Sequence, residues 1–111
     1  MLNRKPLSIP KIIAERIPGF DSPKDTDPAK EMLWVRFIDP MKRSAWYVAR
    51  FDGVDRCFGL QMVVNSAIMF DEFKLSDLSA ITNDVKLGVQ FDPDFKPKTG
   101  LEVLQQNSGH R

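Results

Sequence analysis

Met32-Leu33-Trp34-Val35-Arg36-Phe37-Ile38, Ala45-Trp46-Tyr47-Val48-Ala49-Arg50-Phe51 and Cys57-Phe58-Gly59-Leu60-Gln61-Met62-Val63-Val64 are three apolar-rich runs separated by turn residues. Asp39-Pro40-Met41-Lys42-Arg43 closes the first run and Asp52-Gly53 the second, a dipeptide suited to the positive φ angles of tight loops. Short runs rich in aromatic and β-branched residues, joined by such turns, pair as antiparallel neighbours. A fourth run, Ala67 to Phe73, follows an Asn65-Ser66 turn. In Lys86 to Phe91, Leu87, Val89 and Phe91 alternate with Lys86, Gly88 and Gln90, the pattern of a fifth strand with one apolar face. The reading is an α+β fold: an antiparallel four- to five-stranded meander sheet with short N-terminal, middle and C-terminal helices.

The helices carry their own signals. Ser8 to Ile17 has a serine in capping position, a proline tolerated in the first turn, and apolar residues 9, 12, 13 and 17 at helical spacing, before Pro18-Gly19 stops it. Ser76 is placed to cap a short turn of helix over Asp77 to Ile81. Thr99-Gly100-Leu101-Glu102 has the Thr-x-x-Glu form of a capping box and starts a terminal helix from Gly100 to about Gln106. The 111 residues make a single domain, 1–111, since two would each be too small for a core. Residues 1–7 and 107–111 are expected to fray, and 21–30, with two prolines, to form an exposed extended loop.

Side-chain alternation divides the strands into faces. Leu33, Val35 and Phe37 fall on one side of the first strand and Tyr47, Ala49 and Phe51 on one side of the second. With Phe51 opposite Phe58, the layer continues into Phe58, Leu60 and Met62 and forms the expected core. The reverse side then carries Trp34, Arg36, Trp46 and Arg50 together. Trp and Arg are enriched where partners bind, which makes these four the candidate partner-binding residues. A structural reading stands beside it, in which a helix covers one tryptophan and an arginine stacks on its ring.

Composition excludes several function classes. Sixteen Lys and Arg against fifteen Asp and Glu leave a net charge of +1, too small a field to gather polyanions. One Cys and one His rule out a disulfide framework and multi-thiolate zinc. The only histidine, His110, stands next to last, far from Cys57 in sequence, so a Cys-His nucleophile is not expected. Asp71 with Glu72, and Asp92 with Asp94, are paired carboxylates available to a less favoured enzyme reading. Asp25, Asp27 and Glu31 lack calcium-loop spacing, and the six glycines form no phosphate cradle, so no metal and no cofactor are expected. Lys42, Arg43, Lys96 and Lys98 are the candidates for a nucleic-acid alternative. The basic N-terminus lacks the apolar stretch of about 7–15 residues that a signal peptide needs, and no run approaches the length of a membrane span. With Cys57 read as a buried free thiol, the expected compartment is the cytoplasm.

The order of short motifs is also informative: Trp34-Val35-Arg36-Phe37, Ala45-Trp46-Tyr47-Val48, Cys57-Phe58-Gly59, Phe73-Lys74-Leu75-Ser76-Asp77-Leu78 and Asp92-Pro93-Asp94-Phe95-Lys96-Pro97. This series resembles the domain-of-unknown-function family number 2958, small proteins of bacteria, plasmids, integrated elements and phages. The chain departs from the family pattern at Asp71-Glu72 and at Gln90-Phe91. The resemblance brings no established biochemical activity to carry over and therefore no functional residues to transfer. It does imply a context: an accessory protein of a phage or mobile element, in the host cytoplasm if phage-encoded, whose partner is a host or element-encoded protein. The expected function is non-enzymatic protein–protein binding that modulates or inhibits a host defence or replication component. A nucleic-acid accessory module is the alternative.

Overall fold

The computed structural model describes residues 7–20, 27–40, 43–81 and 88–108. After a short helix α1 (Lys11–Ala14) come β1 (Met32–Leu33), β2 (Val35–Asp39), β3 (Ser44–Phe51), β4 (Arg56–Met62) and β5 (Met69–Lys74). They are followed by α2 (Leu75–Ala80), β6 (Gln90–Phe91), β7 (Lys98–Thr99) and α3 (Gly100–Ser108). Strands β2 to β5 form the expected meander and β6 pairs the outer side of β2, giving an antiparallel sheet ordered β5-β4-β3-β2-β6. β1 and β7 make a second sheet of two strands. The class is α+β, as the alternation and turn signals predict.

The turns work as their residues suggest. Gly53 has φ 89° and Asn65 φ 64°. The Asp52 side chain accepts the N–H groups of Val54, Asp55 and Arg56 at 2.8 to 3.0 Å and closes the β3–β4 hairpin. Its carboxyl is held below the usual range: desolvation opposes this, and the three backbone donors together outweigh it.

Both faces of the sheet are covered, so β3 is buried along nearly its whole length. On one face Val35, Phe37, Trp46, Val48, Cys57 and Phe73 pack with Ile9 and Ile17 from the α1 segment and Leu75 and Leu78 from α2. On the other, Tyr47, Ala49 and Leu60 pack with Leu33 and with Val103 of α3. Alternation holds along β2 and along β3 as far as Ala49, but its pairing across strands is off by one residue: Phe37 faces Trp46 and Val35 faces Val48. The first predicted strand also breaks at Trp34, whose N–H bonds to the Val48 carbonyl. Leu33 therefore lies with Tyr47, on the opposite face from Val35 and Phe37.

A β-bulge makes the third correction. The β3–β4 register runs Val48↔Gly59 and then Arg50↔Phe58, with Ala49 as the extra residue. A bulge turns the following side chains to the other face. Phe51 thus stands opposite Cys57, not Phe58, and packs with Trp46, whereas Arg50 points to the α3 side with Phe58. Gly59 makes room for this close approach, for a Cβ there would lie 1.8 Å from the Tyr47 carbonyl oxygen.

Helix ends differ from expectation in instructive ways. α1 is capped by Pro10 with no side-chain cap, so Ser8 has no such role, and the segment continues to Ile17 through turns bonded three residues apart. Ser76 does not cap α2 either, because the helix begins one residue earlier at Leu75. Asp55, from the β3–β4 turn, takes the part: its carbonyl accepts the Leu75 N–H and its carboxylate accepts both the N–H and the hydroxyl of Ser76 at 2.8 and 2.7 Å. Residues Pro28–Lys30 form a 3-10 turn against α3, whereas 21–26 lie outside the described residues. Of the predicted fifth strand only Gln90–Phe91 pairs, and Lys86 and Leu87 also lie outside the described residues. α3 runs through Ser108, two residues further than predicted.

The capping box at α3 is present in full. The Glu102 carboxylate accepts the Thr99 N–H at 2.9 Å, and the Thr99 hydroxyl accepts the Glu102 N–H at 3.2 Å. Thr99→Ala is expected to cost about 1 kcal/mol at neutral pH, read as a lower urea midpoint. The bond from the Thr99 N–H, helped by the threonine hydroxyl, lowers the Glu102 pKa from its ordinary 4.5. A depressed carboxyl stabilises fully above the unfolded value and loses that contribution as pH falls through the folded one. Alanine keeps the backbone N–H and loses only the hydroxyl's share of this shift, and that share of the gap between wild type and Thr99→Ala is expected to close below about pH 4.5.

Candidate interaction surface

Trp34, Arg36, Trp46 and Arg50 do not share a face. Trp46 is buried and Trp34 half-buried on the α1/α2 side, whereas Arg36 and Arg50 are on the α3 side. Three features separate them: the β2–β3 register, which sets Arg36 against Tyr47, the break at Trp34 and the bulge at Ala49. Trp46 lines a hollow of about 580 Å³ with Asp39, Ser44, Val63 and Ile81, where the Ser44 hydroxyl accepts the Val64 N–H at 3.0 Å.

Each arginine is held by a carboxylate. Arg50 is 4% exposed and donates through Nε and Nη2 to the Glu31 carboxylate at 3.2 and 3.3 Å. The Glu31 carbonyl in turn accepts the Gly100 N–H, so the pair ties the start of β1 to the start of α3 over the sheet. Arg36 is half-buried and donates to Asp92, with Nε 2.8 Å from the carboxylate. Burial works against its charge, but bonding to Asp92 and Tyr47 outweighs it, and the guanidinium pKa stays above its usual value. The Phe95 ring stands edge-on to Tyr47 and takes Arg36 and Lys98 at 5.5 and 5.4 Å from its centre. This cluster fastens the β6–β7 loop to the sheet.

The basic candidates are also dispersed. Lys98 pairs with Leu33 at one end of the β1–β2 segment and Arg43 follows the turn at the other, about 20 Å away at the rise of an extended strand. Lys98 bonds Gln106 at 3.3 Å, Lys96 is exposed, and Lys42 lies outside the described residues. Among the carboxylates, Asp92 accepts from Arg36, Asp94 is exposed beside it, and Asp71 and Glu72 are exposed on β5. Asp25 and His110 lie outside the described residues. Among the described residues no three His, Cys, Asp or Glu side chains are grouped to hold a metal. Cys57 is fully buried; desolvation, with nearby Asp52 and Asp55, pushes its thiol up to about 12, so it is not a thiolate at neutral pH.

What alternation did not disclose is a corner where α3 meets the β4–β5 edge. There Leu60, Ile68, Met69, Phe70, Gly100 and Leu104 line a groove of about 170 Å³. Ile68 and Met69 are 56% and 46% exposed, and Leu101 of α3 is exposed as well. The available signal was the continuous apolar run Ala67-Ile68-Met69-Phe70, too long to bury on one face of an edge strand.

A family model described as Protein of unknown function (DUF2958) matches residues 14–109. The chain belongs to this family. No curated protein matches it, and no solved structure does. The motifs that carry the resemblance are mostly structural in this member: Trp46 and Tyr47 face opposite cores, Gly59 receives the bulge, and Phe73, Leu75 and Leu78 are buried together. Its two departures, Asp71-Glu72 and Gln90-Phe91, fall on β5 and β6, the two edges of the large sheet. No described helix is long and apolar enough to cross a membrane.

Proposed function

We propose that this DUF2958 member acts by binding another protein, without catalysis, through the corner formed by α3 and the β4–β5 edge. The observation that carries the reading is the apolar groove itself, with Ile68 and Met69 standing 56% and 46% exposed at its rim. Concave apolar surface of this kind, left open on a small protein, is the usual footing for a partner's anchoring side chain. The dispersed basic residues and the engaged arginines favour a protein over a nucleic acid. The partner class is a host or element-encoded component of defence or replication, encountered in the cytoplasm, which the protein modulates as an accessory factor.

A tagged pull-down from bacterial lysate, with and without nuclease, tests this. A stoichiometric protein is expected to survive nuclease and to be lost with Ile68→Asp and Met69→Lys, both on exposed positions that leave the core intact. Partners that disappear with nuclease would put the nucleic-acid reading first. Retention by both variants would remove the groove.

A further inference from the structure

We propose that β5 accepts an extended segment of a protein partner as a sixth strand. The segment carries apolar residues against Ile68 and Phe70 and basic residues against Asp71 and Glu72. The inference deepens the protein-binding reading above and rests on it.

The backbone supplies the first argument. β5 pairs β4 along all of Met69–Lys74 and ends the sheet order, so among the described residues no strand takes its outer side. The opposite edge strand, β6, pairs over only two residues. The Glu72 N–H donates to the Asp71 carboxylate at 2.7 Å, a local stand-in for a neighbouring strand. Since outward N–H groups recur every second residue, those of Phe70 and Lys74 share that side. A ladder edge of this length, beside an apolar groove, meets both needs of strand addition: main-chain bonds for affinity and a pocket for alternate side chains.

Charge names the occupant. Phe70 pairs with Leu60 on the α3 side, so a residue added across from Phe70 enters the groove, and one across from Ile68 stands at its rim. Asp71 and Glu72 are exposed on the next two positions. Glu72 is joined only by exposed Arg56, at 2.9 Å, whereas Asp71 has no cation in ion-pair range among the described residues. Opposite charges directly across strands are favourable and like charges unfavourable, so the edge selects a basic residue there.

The same charges oppose a second copy. A two-fold axis normal to an antiparallel sheet must pass through a residue facing its own copy, because facing residues share a side. Centred on Asp71 or Glu72, the pairing sets like carboxylates against each other. Centred on Phe70, it sets Asp71 against Met69 and Glu72 against Ile68. Centred on Phe73, it sets Glu72 against Lys74 but runs into α2 at Leu75, so the registers centred on Phe70, Asp71 and Glu72 are penalised by charge and this one is cut short.

A random nine-residue peptide display library, panned against the full chain, provides the test. Selected peptides are expected to alternate apolar residues and to carry Lys or Arg beside them. Asp71→Lys is expected to weaken the selected peptides by about fivefold or more, the worth of reversing a cross-strand charge pair. Glu72→Pro removes an outward N–H that β4 does not use, a substitution edge strands tolerate. It is expected to abolish binding, whereas Glu72→Gln, which keeps the N–H and loses only the charge, weakens it a few-fold and has a similar urea midpoint. The proposal is overturned if no peptide is enriched, if enrichment shows no basic preference, or if Glu72→Pro binds unchanged. A dimer of the free protein that Glu72→Pro dissociates would also overturn it, since the edge would then take a second copy. A nuclease-resistant lysate partner that ignores Glu72→Pro would sink the strand-addition inference and leave protein binding standing; no lysate partner at all would remove both.

Discussion

Gly59→Ala is expected to be the most damaging single-methyl change in the protein, costing about 4 kcal/mol or more and leaving little cooperative unfolding to measure. An added Cβ would stand 1.8 Å from the Tyr47 carbonyl oxygen and 2.9 Å from its carbon. Both are backbone atoms of the central strand, flanked by β2 and β4, so neither can give way without breaking a ladder. Gly53→Ala is the control. Its φ is 89° but no atom lies within 4 Å of the new Cβ, so only the left-handed backbone penalty of about 1–2 kcal/mol applies. Urea denaturation followed by tryptophan fluorescence, with Trp46 buried as reporter, compares the two. Equal losses would mean that the bulge relaxes and that Gly59 is not what admits it.

Arg50→Ala is expected to cost about 3–5 kcal/mol, because it leaves the Glu31 carboxylate buried without its cation. Domains of this size are stable by only about 5–15 kcal/mol, so the variant should be partly unfolded at 37 °C. The two side chains are 5% and 9% exposed, which sets this pair apart from Arg56–Glu72, where both partners are half-exposed and the bond is worth little. Replacing both members, Arg50→Met with Glu31→Leu, is expected to restore most of the loss, since an apolar pair needs no desolvated charge. Chemical denaturation of the two singles and the double gives the coupling energy. Near-additive losses would mean that the ion pair is not the link, and that each side chain acts through its other neighbours.

Strand and turn identity needed no tertiary information. Asp52-Gly53 and Asn65-Ser66 close hairpins because their own side chains or positive φ angles do so locally. The Thr99–Glu102 capping box is equally local, its partners three residues apart. Face assignment failed at the β2–β3 pairing, which is one residue off the expected register, and at two places where the chain leaves regular geometry. Period-two alternation carries no mark of an inserted residue, so the bulge at Ala49 moved Arg50 and Phe51 to faces opposite those read from the pattern. The break at Trp34 did the same to Leu33. With those two shifts and the β2–β3 register, the apparent Trp and Arg surface dissolves into two cores and two ion pairs.

Order of elements, fold class and the absence of a strong charge bias followed from sequence alone, because each depends on neighbours within a few residues. Cross-strand register, the capping of α2 by Asp55, the Glu31–Arg50 pair and the groove at the α3–β5 corner were decided only by tertiary structure. Each of these joins residues far apart in the chain, and the free energy that selects one such pairing resides in packing and desolvation, which exist only after the sheet has closed.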